Sequence, residues 1–149
     1  MSRVSLAIDA GARRIGVARC DAGRIMALPV ATVRRNKYGG HIEEILEVID
    51  EYEVSDIFVG LPLHLSGREG QAARGARALA ATLAQASGLP VYLVDERLTT
   101  VSAHAQLHAA GRDSRQHRQV VDQVSAVMLL ELVIETERRT GSTPGELVE

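Results

Sequence analysis

Val4-Ser5-Leu6-Ala7-Ile8-Asp9-Ala10-Gly11, then Arg14-Ile15-Gly16-Val17-Ala18-Arg19-Cys20, then Ile25 to Val33, are the stretches that decide the fold. In the first, Val4, Leu6 and Ile8 alternate with Ser5, Ala7 and Asp9, the period of two that marks a half-buried strand. Gly11 places a turn after it. The second stretch reads as another strand, and Asp21-Ala22-Gly23 behind it has hairpin-turn chemistry. The third strand, Ile25–Val33, contains Pro29. Proline has no N–H for a ladder, so this strand is expected at a sheet edge. Three strands joined by short turns predict an antiparallel meander.

Beyond Gly39-Gly40 the period changes. Ile42, Ile45, Leu46 and Ile49 mark one face of a helix whose other face carries Glu43, Glu44, Glu47 and Glu51. Asp56–Gly60 reads as a buried strand and Gly60–Gly70 as a loop. Ala72–Ser87 reads as an Ala-rich helix closed by Gly88 and Pro90. Val91–Val94 is the next buried strand. A helix capped by Thr99 or Thr100 is expected to end at Gly111, with Arg112–Arg118 as a basic loop and Gln119–Arg138 as the longest helix. The order β-β-β-α-β-α-β-α-α predicts an α/β protein. Its mixed five-stranded sheet is an antiparallel meander followed by parallel strands, flanked by helices. Residues 1–139 are expected to form one domain and residues 140–149 a flexible C-terminal tail.

Composition narrows the function classes. The chain has 149 residues and a formal charge of −2, one domain of ordinary size. Aromatic residues make up 3% and Trp is absent, which excludes a platform that stacks single-stranded bases. The single cysteine, Cys20, excludes an intramolecular disulfide framework and a Cys-based zinc cluster; it is expected as a small core residue. His104 and His108 have the spacing of a helical zinc pair, but a solvent-facing pair is the expectation. The first residues lack a charged start and long apolar run, and no apolar stretch approaches the ~20 residues of a membrane span. A cytoplasmic protein is expected, without membrane contact. Lys37 is the only lysine among 17 cationic residues; arginine suits bidentate phosphate recognition, although high-GC codon usage produces the same skew. Charge is uneven. Residues 1–35 carry seven Arg against Asp9 and Asp21, whereas residues 36–56 carry Lys37 against seven acids. A polyanion is expected to approach the basic hairpins and the Arg112–Arg118 loop.

Sites in sheets of this kind form beyond the carboxyl ends of the parallel strands. The first strand ends at Asp9 and the fifth at Asp95-Glu96, so adjacency of these strands would bring Asp9 and Glu96 to one rim. Asp122, beside Ser125 and Ala126 on a helix, has small neighbours that would let it reach the same rim. Two carboxylates ~4 Å apart repel by about 4 kcal/mol at an effective dielectric of ~20. Such a cluster needs a proton or a divalent ion, and Mg2+ or Mn2+ takes oxygen ligands together with phosphate. The alternative is local work: Asp9 in a turn, Glu96 in a surface pair, Asp122 near a helix start.

Four motifs then resemble a known family. Asp9-Ala10-Gly11-Ala12-Arg13-Arg14-Ile15-Gly16-Val17-Ala18 is similar to the D-x-G-x-x-R-I-G-V-A opening of the YqgF family. These are bacterial RNase H-like proteins also called RuvX and described as Holliday junction resolvases. Gly60-Leu61-Pro62-Leu63 with Ser66-Gly67-Arg68-Glu69-Gly70 resembles the family's G-L-P-L loop and G-x-E-G segment. Asp95-Glu96-Arg97-Leu98-Thr99-Thr100 resembles its D-E-R-L-T/S-T block, and Val121-Asp122-Gln123-Val124-Ser125-Ala126 its final helix block. The motifs occur in family order and span nearly the whole chain. The loop departs from the family's usual Asn-Met-Asp at His64-Leu65-Ser66. Ser125 stands where RuvC-type resolvases carry a second helix aspartate.

The resemblance implies an RNase H-like fold and a nuclease. It implies Asp9, Glu96 and Asp122 as a catalytic triad holding Mg2+ or Mn2+. Arg14 and Arg97, each inside a motif, and Arg112, Arg115 and Arg118 of the basic loop are the expected nucleic-acid contacts. The substrate implied is structured RNA, in 5′-end processing of pre-16S rRNA during ribosome biogenesis. The alternatives are resolution of four-way DNA junctions by a homodimer and a non-catalytic nucleic-acid-binding module. A monomer suffices for the RNA reading. An actin-like ATPase or sugar kinase uses two such domains, and this length provides one.

Overall fold

The computed structural model describes residues 3–96 and 114–149, with the side chains of the last helix described from Asp122 onward. Strands β1 (Val4–Ala10), β2 (Arg14–Cys20) and β3 (Ala27–Arg34) form the expected meander. They are followed by α1 (Gly40–Glu51), β4 (Val54–Leu61), α2 (Gln71–Ser87), β5 (Val91–Asp95), α3 (Ser114–Thr140) and β6 (Glu146–Leu147). The sheet order is β3-β2-β1-β4-β5-β6, with β1, β4 and β5 mutually parallel. Strand β3 lies at the edge, as Pro29 requires. The pairing register shifts beside Pro29, between Val17 and Ala18 of β2.

Alternation along the strands divides the core between the two faces. Leu6, Ile8, Ile57 and Val59 pack with Ile45 and Ile49 of α1 and with Leu79 and Leu83 of α2. Ala7, Ala18, Cys20 and Phe58 face the other way, against Ala126, Leu129, Leu130 and Val133 of α3. Cys20 is fully buried there, a small core residue as expected. Small side chains on this face let α3 approach closely. At Gly16 a Cβ atom would overlap the backbone carbonyl of Asp122, so this glycine sets how near the helix, and Asp122 with it, comes to the sheet.

Several boundaries differ from the sequence reading. The sheet has six strands rather than five, because β6 in the expected tail pairs antiparallel with β5. A two-residue strand has no periodicity to read. It is held by the Val148 N–H, which donates to the Val91 carbonyl at 2.8 Å, and by Glu146 on Arg77 at 2.8 Å. Strand β3 begins at Ala27 rather than Ile25, because Asp21 Oδ1 accepts the N–H groups of Ile25 and Met26, each at 2.7 Å, and holds both in the turn. Residues 114–118, read as loop, are helical. Their Arg, Gln and His side chains oppose no helix, and Gly or Pro is absent to break it. Arg97, Arg112, His104, His108 and the helix expected between Thr99 and Gly111 lie outside the described residues. The side chains of Arg115 and Arg118 do also. Among the described residues, no helix is long and apolar enough to cross a membrane.

Candidate active site

Parallel pairing brings the carboxyl ends of β1, β4 and β5 to one rim. Asp9 stands near the end of β1. Glu96 follows β5 directly, its N–H donating to the Leu61 carbonyl at 3.3 Å. Strand β4 lies between them, and it presents Gly60. A Cβ at Gly60 would overlap Glu96 Oε2, so the missing side chain is what lets the Glu96 carboxyl cross β4. The side chains of Asp9 and Glu96 are hydrogen-bonded to each other. Below them opens a cleft of about 740 Å3, lined by Asp9, Gly11, Arg35, Pro62, Gln71 and Glu96.

The electrostatics follow from this placement. Burial pushes the Asp9 carboxyl up to about 9, with the charge and hydrogen bond of Glu96 and the charge of Asp122 acting in the same direction. Burial also raises Glu96, as does the charge of Asp95, while the hydrogen bond from Asp9 pulls it down. The two groups therefore share a proton near neutral pH, which Asp9 donates to Glu96. Two like charges in contact inside a low-dielectric cleft cannot both ionise without a cation.

Asp122, the third expected acid, is placed near but not in this pair. Its charge reaches Asp9, while Arg14 Nε donates to its Oδ2 at 2.9 Å. Next to it, Gln123 Nε2 donates to Thr32 Oγ1 at 3.0 Å and fastens the helix to β3. Ser125 is buried, and its hydroxyl has no partner among the described residues. Among the described residues, no three His, Cys, Asp or Glu side chains are gathered closely enough to hold a metal ion. The donor set present is a pair of carboxyl groups open to a cleft. That fits Mg2+ or Mn2+, which binds through one or two carboxylates and fills its remaining positions with water and phosphate oxygen.

Sequence reasoning missed two contributors. Gly60 reads in the sequence as the last residue of a buried strand and the first of a loop, and nothing local says that a carboxylate from the neighbouring strand needs the space of its absent side chain. Arg14 was read as a phosphate contact, and no local pattern links it to an acid 108 residues away.

Residues 3–136 match the RuvX family, described as Holliday junction resolvase. The chain belongs to the RuvX family. Relatives agree over nearly full length. A protein of Thermobifida fusca named "Putative pre-16S rRNA nuclease" is 49% identical over 154 residues, covering 98% of this chain and 96% of its own. One of Clavibacter michiganensis with the same name is 49% identical over 144 residues, covering 96% and 89%. Among solved structures, Thermus thermophilus RuvC in complex with a Holliday junction substrate superposes with a TM-score of 0.60. It is 15% identical and covers 97% of this chain and 99% of its own. The fold expected from the RuvX resemblance, RNase H-like and α/β, is the fold found.

Proposed function

We propose that this RuvX-family chain is a divalent-metal-dependent nuclease that hydrolyses phosphodiester bonds in the Asp9–Glu96 cleft. The observation that carries the reading is the pair of hydrogen-bonded carboxyl groups at the rim of the parallel strands. Asp9, Glu96 and Asp122 are the proposed catalytic and metal-binding residues. When bound, Mg2+ or Mn2+ would neutralise the carboxylates, orient the scissile phosphate and help activate the attacking water. The chain's own part is to give up the shared proton from Asp9 and to present Glu96 across Gly60. Arg14, through its Nε, holds the Asp122 carboxylate toward the same rim. Arg14, Arg97, Arg112, Arg115 and Arg118 are the proposed contacts to phosphate, a role for which the guanidinium fork is suited.

Structured RNA is the proposed substrate, in 5′-end processing of pre-16S rRNA, the reading supported by the names of relatives at 49% identity. A monomer in the cytoplasm would serve it. The family description supports a second reading, a four-way DNA junction. That substrate requires two cleavage sites related by a two-fold axis and therefore a homodimer. The test compares wild type with Asp9→Asn on a pre-16S rRNA fragment, a four-way junction and a single strand, each with Mg2+ or Mn2+. Metal-dependent cleavage of the rRNA fragment by wild type alone is expected. Cleavage confined to the junction would select the second reading. Equal cleavage by both proteins, or by neither, would overturn the active-site assignment.

A further inference from the structure

The β1–β2 turn end of the meander carries another cavity, of about 360 Å3, lined by Ala12, Arg13, Arg14, Arg34 and Arg35. Four of its five lining residues are arginines. The strand register sets Arg14 directly opposite Arg34, and the Arg35 N–H donates to the Arg13 carbonyl at 2.8 Å. All four side chains therefore leave from one corner of the sheet. Like charges facing each other across a strand pair repel, so an anion seated in this corner would relieve them.

One internal anion reaches this corner, Asp122 on Arg14. Arg35 Nε is engaged by the Gly11 carbonyl at 2.7 Å, a neutral partner, and burial lowers the Arg35 pKa. Among the described residues, Arg13 and Arg34 carry no ion pair. Arg3, Arg24 and Arg77, away from this corner, are each held by carboxylates. The arginines besides Arg13 and Arg34 that carry no ion pair among the described residues, such as Arg19 and Arg139, share no lining with the cleft. What sets Arg13 and Arg34 apart is their place: they line a cavity that shares Ala12 and Arg35 with the cleft.

We propose that the Arg13–Arg34–Arg35 pocket seats a backbone phosphate of the strand whose scissile phosphodiester lies at Asp9 and Glu96, an inference that rests on the nuclease reading of the cleft. A phosphate offers the oxygens that guanidinium groups bind in pairs. Arg13 is four positions beyond Asp9, at most about 14 Å of chain between their Cα atoms. At a rise of about 3.4 Å per nucleotide, and allowing for the reach of the arginine side chain, the seated phosphate lies a few nucleotides from the cut. The pocket would thus fix where along the strand the cleft acts.

The experiment is equilibrium binding of a duplex-containing RNA in EDTA, across 50 to 200 mM salt, for wild type, the Arg13→Ala/Arg34→Ala double variant and Arg34→Lys. Arg13 and Arg34 are exposed, so the substitutions leave the core intact. Losing one phosphate contact makes the log–log salt slope shallower by about 0.9. The same salt step then costs the double variant about 3.5-fold less affinity than wild type. Arg34→Lys keeps the wild-type slope. A scan with single neutral methylphosphonates is expected to weaken wild type at one position near the cut and to leave the double variant unaffected there. An unchanged slope in the double variant, or equal losses at every position, would overturn the pocket. Binding without metal separates the two readings: a wild type that cuts no nucleic acid refutes the nuclease, whatever the slopes, and unchanged slopes in a cutting enzyme refute only the pocket.

Discussion

Replacing Asp9 by Asn removes the carboxyl group whose proton the apo cleft must hold. The unfolded chain releases that proton near the ordinary value of 3.8, whereas the native pair keeps it up to about 9. At pH 7 the native state has therefore taken up a proton that the unfolded chain gave away about three pH units lower. At about 1.4 kcal/mol per unit, this costs at most about 4 kcal/mol. Asparagine donates an N–H to Glu96 without any proton uptake. Water reaches the open cleft and screens part of the interaction, so roughly half, about 2 kcal/mol, should appear as increased stability of the variant. For a chain of this length that corresponds to a rise in Tm of about 4–8 °C.

The sign can be checked along pH. Because the native state binds more protons than the unfolded state between pH 4 and 9, wild-type stability falls as pH rises through this window. The advantage of Asp9→Asn should be absent near pH 4 and grow toward pH 9. The assay is thermal unfolding of both proteins in EDTA from pH 4 to 9, repeated with Mg2+. Metal binding competes with the shared proton, so Mg2+ should stabilise wild type most at high pH and leave the variant unmoved. A variant less stable than wild type, or an advantage that does not change with pH, would refute the shared-proton account of the site.

Other perturbations separate support of the fold from support of the chemistry. Gly60→Ala pushes on the flexible Glu96 side chain, so stability should change by under about 1 kcal/mol while displacement of Glu96 from Asp9 lowers cleavage by about 100-fold, read by Tm and single-turnover rate side by side. Gly16→Ala meets backbone rather than side chain and should cost about 1–3 kcal/mol, seen as a lower urea midpoint with an unchanged m value. Glu137→Ala strips Arg3 and Arg24 of a shared partner and should cost about 2 kcal/mol, with cleavage per folded molecule unchanged because the network sits at the opposite end of β1 from Asp9.

What the sequence disclosed was governed by distance along the chain. The meander and both helices after it were legible because alternation and helical spacing are local, and Pro29 assigned β3 to the edge by backbone chemistry alone. The Asp9–Glu96 pair was legible because strand ends can be read locally and parallel adjacency then follows from the strand-helix order. The ion network of Arg3, Arg24, Asp56 and Glu137 was not. Its partners lie up to 134 residues apart, and no local pattern links them. Ile25 and Met26 were misread because their apolar character outweighed one acceptor, the Asp21 carboxylate. Arg14 joins the two kinds of reading. Its motif position suggested phosphate, and its structure shows Asp122. These are compatible, since the guanidinium has five N–H donors and, among the described residues, only Nε is engaged. Nε holds the acid near the rim, and the same side chain lines the arginine pocket, where its remaining donors would be available to a phosphate.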